Sequence, residues 1–340
     1  MLNVINGSGL FGRLKRLIAT RLERSAFGSA PRRRTDPSGK RVIIHAGFRK
    51  TGTTTVQALL DDNIDHLHPH LGVITRTSDP STDALHRAGR DYAKIPTAAS
   101  AMAVRHAARR IDARIRRMPQ STILLSEENI IGHYIVAPAG DVFSVAADVL
   151  SILEEEFCGH DLAFVFTTRQ RDKWLRSSYN QDVKFHKFPG SYDDWMKVQG
   201  TCRDIDDGRR LLEDKLRSPV VFMAMETDLS EGRFLGLSLL EMAGVPSKVT
   251  AALRQPAPRN ASLGGAELEF MREINGLDLP FSITHRIVTV VQNRKDLFSA
   301  PVRQGTDRSA DRSAPAQPAR AMAPAGQSPD QAEHRDGPPK

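Results

Sequence analysis

Residues 45 to 55 read HAGFRKTGTTT. They follow RVII (Arg41 to Ile44), an apolar stretch suited to a buried strand, and precede an amphipathic run that begins near Thr53. Gly47 and Gly52 have the G-x-x-x-x-G spacing of a phosphate loop, in the required context of strand before and helix after. Backbone N–H groups in such a turn, with the positive end of the following helix, form an anion cradle. A loop for ATP or GTP would continue G-K-[ST], whereas Gly52 is followed by Thr53 and Thr54 and the lysine stands earlier, at Lys50. A lysine 4 Å from a phosphate oxygen is worth roughly 4 kcal/mol in an intermediate dielectric. Moving it therefore changes which oxygen it neutralises.

Outward from the loop the chain alternates strand and helix. Thr54 to Leu67 is expected to be a helix, followed by a strand in STILLS (Ser121 to Ser126) and a helix over Val142 to Phe157. LAFVFTT (Leu162 to Thr168) is a strand, a helix starts near Lys173, and VVFMAM (Val220 to Met225) is another strand. Helices are expected over Arg233 to Met242 and Gly265 to Ile274. Apolar strands separated by helices predict a three-layer α/β fold, a mainly parallel central sheet flanked by helices. No strand clearly ends in an aspartate that could hold magnesium: STILLS runs into Glu127 and Glu128, and LAFVFTT into Arg169.

Here the chain resembles the sulfotransferases that use 3′-phosphoadenosine 5′-phosphosulfate (PAPS), in a bacterial branch. Their phosphosulfate loop follows the first strand and reads much like KTGTT, as residues 50 to 54 do. The resemblance implies that Lys50 contacts the phosphosulfate while Thr53, Thr54, Thr55 and nearby amides hold the 5′-phosphate. The cofactor-binding loop then comprises Arg49, Lys50, Thr51, Gly52, Thr53, Thr54 and Thr55. A second family element is a strand ending in Arg with a Ser eight positions on, the two binding the 3′-phosphate. TTRQRDKWLRSSYNQ supplies Arg169 and Ser177 for this, with Arg171 or Arg176 as the substitute if the strand ends later. Arginine suits the task because its planar fork binds phosphate oxygens in pairs. With LLSEEN and RNASL the resemblance spans roughly residues 41 to 280.

The reaction so implied moves a sulfuryl group from PAPS, without metal, to a hydroxyl or amine of a glycan, lipid or small molecule, carbohydrate being the default. Catalysis of such in-line transfer is mostly positioning and electrostatic stabilisation. Lys50 would neutralise the leaving phosphate, and a general base would take the acceptor proton. Glu128 is favoured as that base, since a buried strand end opens onto the ligand crevice of a doubly wound fold. Glu127 stands where the related branch has a serine, which leaves the choice between Glu127 and Glu128 open. His45 is the runner-up, although a histidine beside such a loop often only orients backbone.

Other features bear less on chemistry. His66, His68 and His70 in HLHPH invite a metal reading, against which Pro69 breaks regular geometry and no carboxylate or cysteine has suitable spacing. Asn260 reads as the start of a helix. The Gly/Lys-rich closing segment of many family members is reduced here to Asn293-Arg294-Lys295.

Three parts are expected: an extension and linker over 1–39, the α/β domain over 40–300 and a Pro/Ala/Arg-rich disordered tail over 301–340. Residues 10–22 (LFGRLKRLIATRL) form a basic amphipathic helix suited at most to weak membrane-surface contact. The charge of +8 favours anionic partners. At 6% aromatic, with none interleaved among basic runs, the chain lacks base-stacking platforms, which argues against nucleic acid. Two distant cysteines, no long apolar run and no secretory signal point to a soluble cytoplasmic protein. Two rivals accompany the sulfotransferase reading: a P-loop nucleotide kinase or ATPase, and a non-catalytic protein that binds an anionic ligand or a membrane surface.

Overall fold

The computed structural model describes residues 39–132, 135–137, 140–199, 202–230, 232–256 and 262–298. The expected amphipathic helix at 10–22, the tail at 301–340 and Asn260 lie outside these residues.

Strand β1 (Arg41–His45) is the middle of a five-stranded sheet that is parallel throughout. Its neighbours are β3 (Thr122–Ser126) and β4 (Asp161–Thr168), with β2 (Gly72–Ile74) and β5 (Val220–Ala224) at the two edges. The order is therefore β2-β3-β1-β4-β5. The pairing register sets Ile43 between Leu124 and Ala163, and His45 between Ser126 and Val165.

The two faces of the sheet are covered by different helices, because alternate side chains of a strand point to opposite faces. Val42 and Ile44, with Ile123, Leu125, Phe164 and Phe166, join the larger core. This face packs on α2 (Ser81–Lys94), α3 (Ala98–Arg117), α4 (Val142–Glu156) and α5 (Arg171–Phe185). Ile43, Val73, Leu124 and Val165 face the other way, against α1 (Thr53–Asp62) and the short helix Leu237–Met242. The fold is thus a three-layer α/β sandwich, as the strand and helix alternation implied.

Particular elements differ from the sequence reading. The helix expected over Thr54 to Leu67 breaks at Asn63 into Thr53–Asp62 and Ile64–Leu67. Asn63 donates to the carbonyls of Leu59 and Arg254 and accepts from the Arg254 amide, each at 2.8 Å. An asparagine that satisfies backbone groups of a distant segment competes with helix continuation. Helix α3 carries a capping box between Thr97 and Ser100 and buries Val104, Ala107, Ala108, Ile111 and Ile115. Two of these five are alanines and the helix is crowded by arginines, which hides the helical period from a hydrophobicity count. No helix among the described residues is long and apolar enough to cross a membrane.

His45 is wholly buried at the end of β1. Its Nδ1 lies 2.9 Å from the Ser126 hydroxyl and its Nε2 2.8 Å from that of Thr167, so one ring ties three strands together. Burial pushes the imidazole from 6.5 down to about 4. As pH falls, the unfolded chain takes up this proton first, so the stability due to neutral His45 is present above 6.5 and lost between 6.5 and about 4. His45→Gln should therefore lower stability at pH 7 and flatten the acid loss in that window by up to about 3 kcal/mol. Urea denaturation across pH checks this, and an unchanged slope would remove the histidine from the account.

Candidate functional site

The loop after β1 is built by close contacts. A Cβ on Gly47 would lie 2.1 Å from the Thr53 methyl group, so the turn closes only around a glycine there. Gly52 has φ 87°, in the left-handed region, and a Cβ on it would meet Leu235 at 2.3 Å. Helix α1 starts immediately after it; the Thr55 and Val56 amides donate to the Gly52 carbonyl at 2.9 and 3.1 Å, and those of Thr53 and Thr54, at the open helix start, are the ones placed to meet whatever enters the loop.

Between the glycines the chain is pinned from below. Phe48 is buried against Phe166 at 4.8 Å, Phe143 at 5.0 Å and Trp174 at 5.9 Å between ring centroids. The Thr51 hydroxyl donates to the Phe48 carbonyl at 2.6 Å, and the Trp174 indole N–H to the Arg49 carbonyl at 2.8 Å. Arg49 pairs with Asp182 at 2.7 Å, and Asp182 also accepts from the Trp195 indole at 2.7 Å and lies 2.8 Å from His186. Burial alone would raise the Asp182 carboxyl, but the bonds from His186, Arg49 and Trp195 outweigh it and hold the group below the usual carboxylate range. Lys50 is left at φ 65°, a conformation that costs a non-glycine residue about 1–3 kcal/mol and persists only where its surroundings over-determine it.

Above the loop opens a cleft of about 780 Å³. Of the residues singled out in the sequence, Arg49, Lys50, Gly52, Thr53, Thr54, Thr55, Glu128, Arg169 and Ser177 all line it. Arg169 and Ser177 thus meet the loop, Arg169 donating to the Lys50 carbonyl at 3.4 Å. The substitutes Arg171 and Arg176 are exposed away from the cleft, Arg176 stacking on the Tyr192 ring at 4.6 Å. Thr51 is buried beneath the loop.

The two glutamates part company. Glu128 turns into the cleft, where its carboxylate accepts hydrogen bonds from the Thr53 and Thr54 hydroxyls. Glu127 is fully buried on the other side of the strand end, 3.1 Å from His86 and from the Asn129 amide, with Arg76 at 3.9 Å. Burial, with the Glu127 charge beside it, raises Glu128 to about 7 against the opposing pull of Thr54, Lys50 and Arg76. Burial also lowers Lys50 to about 8, helped by Lys184, Arg49 and Arg169 and opposed by Glu128. The lysine ammonium rests 3.3 Å from the Gln181 amide oxygen.

Four cationic side chains, Arg49, Lys50, Arg169 and Arg233, line the cleft, against Glu128 as the carboxylate among the described lining residues. Its apolar wall comes from Met225, Leu229, Phe234, Leu235 and Pro256. The sequence reading did not single out Gln181 or Arg233. Gln181 was accessible in principle, one helical turn after Ser177 on the same face. Arg233 carried no motif and reaches the site only through the chain's path after β5.

His66, His68 and His70 lie exposed, and among the described residues no group of three or more His, Cys, Asp and Glu side chains is placed to hold a metal ion. Arg294 pairs with Asp296, and neither it nor Asn293 nor Lys295 lines the cleft. No protein-family model matches the chain, and no curated protein does either.

Gly52→Ala should strain the loop both by its φ and by the Leu235 contact, costing about 1–3 kcal/mol. Denaturant unfolding of the variant checks this. A neutral result would mean that the loop can adopt another backbone path.

Proposed function

We propose that the cleft binds PAPS and that the protein transfers its sulfuryl group to a hydroxyl or amine of an acceptor, with carbohydrate first among acceptor classes. The observation that carries this reading is the convergence of Lys50 and the first turn of α1 with Arg169 and Ser177 in one cationic cleft. The residues fit such a donor. Lys50, the backbone amides of Thr53 and Thr54, and Thr55 would hold the 5′ end, and Arg169 with Ser177 the 3′-phosphate.

The donor, when bound, supplies an activated sulfuryl group whose bond to the 5′-phosphate breaks as the acceptor oxygen or nitrogen bonds to sulfur. This chain's part is positioning, charge and proton removal. Lys50 places an ammonium beside the loop where negative charge accumulates on the departing phosphate. Glu128 takes the acceptor proton, and its raised pKa near 7 suits a base working at neutral pH. The Thr53 and Thr54 hydroxyls aim that carboxylate from the same turn that receives the phosphate, so base and leaving-group site share one rigid element. Glu127 keeps Glu128 proton-avid through its neighbouring charge.

Thermal unfolding with adenosine 3′,5′-bisphosphate, compared with ADP and with ATP plus magnesium, tests the binding half. A ligand at 100 times its Kd adds about 2.7 kcal/mol. Stabilisation by the 3′-phosphorylated nucleotide, lost in Arg169→Ala, is expected. Stabilisation by ATP with magnesium alone would replace this reading with the kinase or ATPase one.

The catalytic half has a pH signature. Glu128 must be ionised, so kcat/KM should rise with pH through about 7, and Lys50 must be protonated, so it should fall above about 8. Lys50→Ala and Glu128→Gln should each leave the fold intact and cut turnover, Glu128→Gln by roughly 10²- to 10⁴-fold. Retained turnover with an unshifted profile in Glu128→Gln would exclude it as the base.

A further inference from the structure

Arg233 lies on the segment that follows β5, and Leu235, two residues on, packs against Gly52 of the loop. Its guanidinium is held by Glu241 through both terminal nitrogens, with Ser238 and Asp228 as further neighbours. Nη2 is 3.0 Å from Glu241 Oε2, 3.3 Å from the Ser238 hydroxyl and 3.7 Å from Asp228, and Nη1 is 3.4 Å from Glu241 Oε1. Its Nε is buried and has no hydrogen-bond partner among the described residues.

The carboxylates that hold Arg233 differ in their other commitments. Asp228 is buried and already accepts from the amides of Gly236 at 2.7 Å and Ser238 at 3.1 Å, and from the Ser238 hydroxyl. Its charge is thus spent on shaping the segment. Glu241 is 53% exposed. That side of the two-point pair is open to water and to screening by salt. Arg49 is the contrast: its partner Asp182 is buried, with three side chains on it. Of these two cleft arginines, Arg233 is the one whose partner can turn to solvent when an incoming anion takes its place.

The sheet says which end of a ligand it would meet. Thr168 pairs with Ala224, so the chain leaving β4 at Arg169 and the chain leaving β5 at Met225 emerge side by side. Glu128 issues from β3, on the other side of β1. We propose that Arg233 is a third anion-binding arm of the cleft, exchanging Glu241 for a phosphate of the bound nucleotide on the Arg169 side. This rests on the nucleotide reading above and makes Arg233 a determinant of ligand choice and affinity, with no part in proton transfer.

The test is calorimetric titration of the full chain with adenosine 3′,5′-bisphosphate and with inorganic pyrophosphate, in wild type, Arg233→Ala, Arg233→Lys and Glu241→Ala. Losing a charged hydrogen-bonding arm should weaken the nucleotide roughly 10- to 100-fold, with Arg233→Lys between. Glu241→Ala removes the competitor and should tighten binding by up to about fivefold. Opposite signs for the two positions are the mark of exchange. If Arg233→Ala and Glu241→Ala weaken binding alike, the pair only shapes the segment and the proposal falls, as it does if Arg233→Ala and Arg233→Lys change nothing. Pyrophosphate separates the two readings. If wild type binds pyrophosphate but not the nucleotide, and the opposite signs persist, the arm stands and the nucleotide reading fails. Binding of neither sinks both.

Discussion

Burial of Phe48 is the contact on which the site depends. It is a side chain of the loop itself, yet it packs among Phe143, Phe166 and Trp174 from α4, β4 and α5. Fully burying such a ring is worth about 1.5–3 kcal/mol, which is enough to offset a strained residue next to it. The loop between two glycines would otherwise have many conformations. With Phe48 fixed below, Arg49 clamped by Asp182 and the Arg49 carbonyl bonded to Trp174, Lys50 is forced into its left-handed backbone and upward into the cleft. Helix α5 supplies Trp174, Ser177, Gln181 and Asp182, so one helix both anchors the loop and lines the space above it.

The electrostatics follow from the same packing. A lysine and a glutamate set near each other at a cleft floor would ordinarily stabilise each other's charge. Here burial outweighs that attraction for both: Lys50 is lowered to about 8 and Glu128 raised to about 7. Extra cations around Lys50 and the extra carboxylate of Glu127 beside Glu128 push in the same directions. The cleft is therefore short of negative charge, and an anion placed in the loop would relieve the crowding of Lys50, Arg49 and Arg169. Such mutual tuning of neighbouring acid and base groups is typical of functional sites.

How far the sequence could be read varied with the kind of signal. Strands β1, β3, β4 and β5 were legible because all but an edge are buried on both faces, which writes them as continuous apolar runs. The three-residue edge strand Gly72–Ile74 is too short to stand out, and α2 and α3 pair Arg-rich exteriors with small alanine interiors. The break at Asn63 depends on Arg254, far away in the chain, and no local pattern announces it. Likewise His45 had the residue type of a base and the position of one, but its two ring nitrogens are taken up by Ser126 and Thr167.

The sequence by itself determined the loop and its context. Glycine spacing, a lysine inside the turn, threonines at the helix start, and an arginine and serine eight residues apart are local patterns whose physics needs only backbone geometry. Tertiary structure decided which of two adjacent glutamates faces the cleft, because β3 ends at Ser126, Glu127 is extended and Glu128 opens a short 3-10 turn, and only the neighbouring packing says which side is open. It also decided that Arg169 meets the loop while Arg171 and Arg176 do not, and that Arg233 belongs to the site. Those are facts about where strand ends converge, and convergence is fixed by strand order in the sheet, to which no short stretch of chain has access.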